Sequence, residues 1–321
     1  VKFWTQLDYW NPWGMILIDM DISILMSNKL YKVFTHGDLD GAVSLLCFLW
    51  KRPDAVIEYE ELFNNTIEER LLVYNEKTIN KPTTLVMDFS LRESFLNSDS
   101  SEFVFIDHHK NSEKFFDKFK NAKVVFKETT SNTALMYNTF LKENNNLTKE
   151  QKYLIALAND FDCYELKLKD SYDLNILFWS EYRGNFSKFI KDYSSGFKPF
   201  TDSQRRLIEN EKYLGCKLAE SYQKFSGELK IKGENYKTIA VIGEKYNLLA
   251  IDCVINKYDP DIFFFINIKS EKVNMRKKPT IKDFEIGSFA EKVCEGGGNS
   301  NSAGGTLTPV FMEMMKNLKP E

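Results

Sequence analysis

Histidine is scarce in this chain, with three in 321 residues. That rules out broad use of imidazole and makes each position informative. Two stand side by side, His108 and His109, and the third is His36. Cysteine is sparse as well. Cys47, Cys163, Cys216, Cys253 and Cys294 occur singly, with no Cys-x-x-Cys pair and no even framework. They read as reduced, mostly buried thiols of a cytoplasmic protein. No apolar run approaches the roughly 20 residues of a transmembrane helix, which argues against a membrane span. Neither sign of charge dominates: 43 Lys and Arg against 46 Asp and Glu leave a net charge of −3. The chain therefore has no global field for holding long nucleic acid. It also has no repeat at solenoid spacing and no low-complexity tract of note.

The length supports two domains, and 43% hydrophobic with 28% charged residues describes an ordinary globular chain. Residues 1–25, with Trp4, Trp10 and Trp13, make a poor signal peptide; Met26 reads as the functional start and the preceding stretch as an extension. From residue 30 an α/β rhythm begins. Strands are expected over 31–35, 55–59, 83–87, 103–106 and 123–126. Helices are expected over 40–50 and 65–75, which implies a parallel sheet with crossovers. More helices follow at 129–141, capped by Thr130, Ser131 or Asn132, at 148–159 behind a Thr148-x-x-Gln151 capping box, and at 172–189. Gly196-Phe197-Lys198-Pro199 breaks the pattern. A long amphipathic helix over 202–225 then places Leu207, Tyr213, Leu214, Leu218 and Tyr222 at helical spacing, as a buried connector face. Beyond it come a strand at 236–242, a helix at 247–257, a hairpin of 262–269 and 272–275, a helix at 284–294 and a glycine-rich stretch at 296–305. The expected domains are 1–25 as extension, 26–195, a connector at 196–226, and 227–321.

The chemistry concentrates at the ends of these elements. Residues 103–110 read Phe-Val-Phe-Ile-Asp-His-His-Lys: an apolar strand that ends abruptly in polar groups. A buried parallel strand delivering side chains to its carboxyl end looks like this, and ligands bind at that end of open α/β sheets. His36-x-Asp38-x-Asp40-Gly41 follows the first strand, Asp88 ends the third, and Asp160-x-Asp162 ends a helix. Mixed carboxylates and imidazoles suit Mn²⁺ or a similar divalent ion better than a thiolate-seeking one. Crowding so many carboxylates without a cation is costly, and their number suits two ions about 3.5–4 Å apart sharing a bridging carboxylate.

These motifs, in this order over about residues 30–310, resemble those of the DHH phosphoesterases. The resemblance implies a parallel-sheet α/β DHH domain joined by a long helical linker to a smaller α/β domain, with the active-site cleft between them. It implies a hydrolase with two divalent ions, Mn²⁺ first and Mg²⁺ or Co²⁺ as alternatives. His36 and Asp38 would hold one ion, Asp40, His108 and Asp160 the other, and Asp88 both. Asp162 is the alternative to Asp160. Asp107 would orient His108, and His109 would act at the leaving side of the phosphate. Arg276, at the end of a strand, would grip phosphate, and Gly296, Gly297, Gly298 and Asn299 would line the ligand, with backbone N–H groups forming an anion-binding nest. Asn299 stands where the family usually has histidine and cannot carry a positive charge. The implied substrates are short: oligoribonucleotides, linear dinucleotides or 3′-phosphoadenosine 5′-phosphate, as in nano-RNases. Polyphosphate hydrolysis and catalytically silent nucleotide binding are the alternatives. A homodimer is compatible with this reading.

Overall fold

The computed structural model describes residues 30–78, 81–127, 129–142, 146–244, 248–298 and 300–321. The expectations for residues 1–25, for Met26 and for Asn299 lie outside the described residues. The described chain divides into two compact units. Residues 30–108, 112–159 and 184–198 form one; 109–111, 160–183 and 199–321 form the other.

The first unit is built on five parallel strands: β1 (Leu30–His36), β2 (Val56–Leu62), β3 (Thr83–Met87), β4 (Phe103–Asp107) and β5 (Lys123–Phe126). Their order is β2-β1-β3-β4-β5. Crossovers between them include α1 (Leu39–Lys51) and α2 (Ile67–Lys77). Successive residues of a strand face opposite ways, so Phe34, Val86, Phe103, Phe105 and Val124 form one buried face of the sheet. Ile67, Leu71 and Tyr74 of α2 pack on that face. Every residue of the central β3 and β4 is buried, so both faces are covered there, which is why these two read as near-continuous apolar runs. Next come α3 (Asn132–Met136), capped by Ser131, and α4 (Lys149–Asp162), opened by the reciprocal Thr148–Gln151 box. The helix expected over 172–189 is two helices, α5 (Lys169–Glu181) and α6 (Phe186–Asp192). Gly184, at φ 72°, separates them.

In the second unit α7 (Asp202–Ser221) starts on a Thr201–Gln204 capping box. It stops short of 225 because Gln223–Ile231 alternates along its length and becomes β6, paired with β7 (Glu234–Ile242). The face it buries matches the expected one only in part: Tyr222, just past its end, is buried and Leu218 packs against the same cluster. Ile208, Gly215 and Ala219 are buried, whereas Tyr213 and Leu214 are 61% and 50% exposed. Gly215 decides this, because a Cβ there would lie 2.3 Å from the Leu249 Cβ of α8 (Leu248–Tyr258). A seven-stranded mixed sheet continues with β8 (Ile262–Asn267) and β9 (Lys272–Lys277). Then come α9 (Ile286–Cys294), β10 (Gly297–Gly298), β11 (Ser302–Thr306), α10 (Pro309–Met315) and β12 (Lys319–Pro320). Phe263 and Phe265 of β8 face the α7–α8 side, and Ile262, Phe264 and Ile266 the other.

Two expectations are corrected here. Cys216 of α7 and Cys253 of α8 form a disulfide, with Cα atoms 5.4 Å apart; the close helix contact brings together two cysteines that look isolated in sequence. Cys47 and Cys294 are buried free thiols, and Cys163 is partly buried. Cross-linking a loop of 37 residues stabilises the folded chain by about 3–4 kcal/mol in the chain-entropy account. Denaturation with and without reductant checks this: wild type should lose stability on reduction, and a Cys216→Ser/Cys253→Ser double variant should be insensitive to it. Second, no single boundary separates the units. Residues 160–183 fold with the later chain, held in part by a Lys212–Asp173 ion pair of 2.5 Å.

Candidate metal centre

The strand order reverses beside β1: the chain passes from β1 to one side and returns to β3 on the other. Such a switch point opens a crevice at the carboxyl edge of the sheet. His36 ends β1, Asp88 follows β3, Asp107 ends β4 and His108 follows it. Parallel pairing of β1 with β3 and of β3 with β4 brings all four to that edge.

Asp88 occupies the middle. Its Oδ2 lies 3.9 Å from Nδ1 of His36, and its Oδ1 lies 3.5 Å from Nε2 of His108. The backbone holds it there in the left-handed region, φ 66°, with its N–H donating to Ile106 O. A non-glycine residue in this region is uncommon, and Asp and Asn tolerate it best. Asp38 divides its carboxylate. Oδ1 accepts the Gly41 N–H at 2.9 Å and caps α1, while Oδ2 meets His36 Nδ1 at 2.7 Å. Gly41 is required here, since a Cβ would fall 2.1 Å from the His36 carbonyl oxygen. His36 is held edge-to-face against Phe63 and Phe89.

Asp40, in the first turn of α1, is 3% exposed, and its carboxylate meets the N-terminus of α3. Its oxygens accept the N–H groups of Asn132 and Thr133 at 2.7 and 2.8 Å, and its Oδ2 is 3.9 Å from His108 Nε2. Asp107 is buried and accepts a hydrogen bond from the Ser112 hydroxyl, which in turn accepts the Leu91 N–H at 2.7 Å. His108 Nδ1 lies 3.3 Å from the Thr129 carbonyl, which favours the tautomer with a proton on Nδ1 and turns Nε2 toward Asp88 and Asp40. The sequence did not single out Thr129, Asn132, Thr133 or Ser112 as parts of the site. A backbone carbonyl leaves no side-chain signature, and the other three read only as caps or loop residues.

The electrostatics are those of crowded acids. Burial foremost, then the charges of Asp40 and Asp38, push the Asp88 carboxyl well above its usual range. Burial and Asp38 raise Asp40, although His108 and Thr133 pull it down. Burial alone would lower the His36 imidazole, but Asp38, Asp88 and Asp40 raise it to about 9. Donor atoms of His36, Asp38 and Asp88 lie within 4.8 Å of one another. Two imidazoles among carboxylates whose charges need a cation form a donor set that fits a divalent ion.

Asp160 is placed differently from its expected role. Both its oxygens are used within the second unit: Oδ1 accepts Lys167 N–H at 3.0 Å, and Oδ2 accepts Leu168 N–H at 3.0 Å and the Ser171 hydroxyl at 2.6 Å. It ties down the chain entering α5. Asp160→Ala is expected to cost about 1–3 kcal/mol by stranding these buried donors, with metal affinity unchanged, as separate melting and metal-titration experiments would show. His109 follows His108 into the short segment 109–111 of the second unit.

Arg276, half-buried on β9, donates from Nη1 to Met275 O at 3.0 Å and to the Ser302 hydroxyl. The glycine stretch forms strands rather than an anion-binding nest. Gly297 and Gly298 pair antiparallel with Gly304 and Ala303, and the Gly296 N–H donates to Ala290 O. A Cβ on Gly296 would lie 1.9 Å from Gly304 O, so glycine permits the close pairing.

No protein-family model and no curated protein matches the chain. Solved structures do. An exopolyphosphatase-related protein from Bacteroides fragilis is 14% identical with a TM-score of 0.51, over 92% of this chain and 94% of that one. The DHH domain of a protein described as a member of a ribosomal-protein family is 12% identical with a TM-score of 0.61, over 92% and 86%. RecJ from Thermus thermophilus in complex with Mn²⁺ is 13% identical with a TM-score of 0.56, over 91% of this chain and 52% of that one. With a five-stranded parallel sheet, a second mixed sheet and these neighbours, the chain has the fold of the DHH-domain proteins.

Proposed function

We propose that this protein is a divalent-metal-dependent phosphoesterase acting on short nucleotide substrates. The observation that carries the reading is the Asp88 carboxylate standing between the His36 and His108 imidazoles at the switch point of the sheet. His36 and Asp38 would hold one divalent ion and His108 and Asp40 a second, with Asp88 shared. Asp162 takes the role expected of Asp160: two helical positions turn a side chain by about 200°, and the Asp160 carboxylate is bound by the chain entering α5. When bound, such ions would supply positive charge to the phosphoryl oxygens and lower the pKa of water. The protein's own groups orient this chemistry. Thr129 fixes the His108 tautomer, Asp38 locks the His36 ring, and His109 holds or passes a proton at the leaving oxygen. Arg276 grips a phosphate of the substrate through its planar fork. Mn²⁺ is the first choice of ion, because imidazole and carboxylate together suit it.

A panel of short RNA, short DNA, linear dinucleotides, 3′-phosphoadenosine 5′-phosphate and polyphosphate, each with Mn²⁺, tests the reading. Release of mononucleotides or phosphate from the nucleotide substrates supports it. Turnover of polyphosphate alone assigns the same centre to polyphosphate, an activity that the name of one fold neighbour suggests. Tight nucleotide binding without turnover of any substrate would sink the enzymatic reading.

A further inference from the structure

We propose that Tyr164 and Asp252 are positioning residues for Arg276, forming a platform that holds its guanidinium edge-on to a substrate phosphate. The proposal rests on the phosphoesterase reading only in naming that phosphate as the ligand. The Tyr164 ring lies beneath the guanidinium, with 5.1 Å between the Arg276 Cζ and the ring centroid. The Tyr164 hydroxyl donates to Oδ1 of Asp252 at 2.5 Å, and the Tyr172 hydroxyl donates to Oδ2. Asp252 belongs to α8, next to Cys253, whose disulfide pins this helix to α7.

Three physical points make this a device rather than a chance stack. First, ring stacking uses the face of a guanidinium, whereas anions are bound through its edge; the two contacts do not compete. Second, a phenol donating to a carboxylate carries more electron density in its ring, which strengthens its hold on a cation. Third, the backbone is bent to put the ring there. Tyr164 and Leu166 are both left-handed, φ 54° and 52°, a conformation that costs free energy for residues with side chains. The Asp160 carbonyl accepts the N–H groups of Glu165 and Leu166, and the Asp160 carboxylate accepts those of Lys167 and Leu168. The loop is thus wound around Asp160. The segment that leaves α4 at Asp162 therefore also carries the seat of the arginine, linking the acidic motif to the anion grip within a few residues of chain.

The test is a double-mutant cycle in the full chain, reading calorimetric binding of 5′-AMP and of inorganic phosphate, with KM and kcat wherever a substrate turns over. Tyr164→Leu is expected to weaken anion binding roughly fivefold to tenfold, the scale of a lost cation–ring contact. KM should rise by the same factor with kcat within about twofold. Tyr164→Phe, which keeps the ring, should recover most of the affinity. In an Arg276→Leu background Tyr164→Leu should have no further effect. Full loss in that background, or unchanged affinity in a folded Tyr164→Leu protein, overturns the proposal. So does a wild type that binds neither anion. Binding with a coupled cycle and no turnover of any substrate would sink the phosphoesterase reading and leave the platform standing.

Discussion

Asp88→Asn is expected to abolish measurable turnover, with a loss of at least about 10²–10³-fold, the scale seen when one preorganised charge partner is removed from a reacting centre. The variant is nearly isosteric, and asparagine tolerates the left-handed backbone at φ 66°. Folding should therefore survive, and a metal-free melting temperature at or above that of wild type is the accompanying expectation. The reason is that the carboxylate is buried beside Asp40, Asp38 and Asp107, whose charges all oppose its ionisation. An amide removes that repulsion but cannot serve two cations. Asp88→Ala is the poorer variant, because alanine adds backbone strain to the loss of charge and would confuse the two effects. Turnover of Asp88→Asn within tenfold of wild type would remove Asp88 from the centre of the mechanism.

The second large effect is on stability and has a definite sign with pH. In the metal-free protein His36 titrates at about 9 when folded, against 6.5 when unfolded. Its contribution is fully present below pH 6.5 and is lost as pH rises through 9. Asp88 and Asp40 act in the same direction. Their folded values are raised above 3.8, so the folded state holds protons that the unfolded chain has released, and stability falls as pH climbs above about 4. Divalent ions need these ligands deprotonated, so their affinity rises over the same window. The metal-free melting temperature should therefore fall from about pH 6 to about pH 9, and the gain on adding Mn²⁺ should grow. At a free concentration one hundred times Kd the stabilisation is about 2.7 kcal/mol, or roughly 9 °C for a unit of this size. Scanning calorimetry with EDTA or Mn²⁺ across that range is the measurement. A metal-free melting temperature that rises with pH, or a Mn²⁺ gain that does not change, would show that these groups are not crowded as described.

Much of the first unit was legible because its signals are local. β1, β3 and β4 are short, largely apolar runs that lead into His36, Asp88 and Asp107, and Asp38 and Ser131 cap helices of the same unit. The period-2 pattern of β6 was readable too, but it was absorbed into the preceding amphipathic helix, whose polar spacing masks the change at Tyr222. The choice between Asp160 and Asp162 could not be read. It turns on whether the loop returning from residue 163 offers N–H groups to one of them, and backbone donors carry no sequence signature. The Cys216–Cys253 disulfide was hidden for a similar reason: two lone cysteines 37 residues apart become partners only once α7 and α8 touch at Gly215.

By itself the sequence determined which residue types stand at which strand ends, and with them an α/β architecture with a carboxylate–imidazole centre. Alternation, helix caps and turn chemistry are set by neighbours within a few residues, so one chain suffices to read them. Only the tertiary structure decided which acid of a pair is bound by a returning loop, which face of α7 is buried, which cysteines meet and what seats Arg276. Each depends on contacts between segments far apart in the chain, where burial and donor supply, rather than local preference, select the outcome.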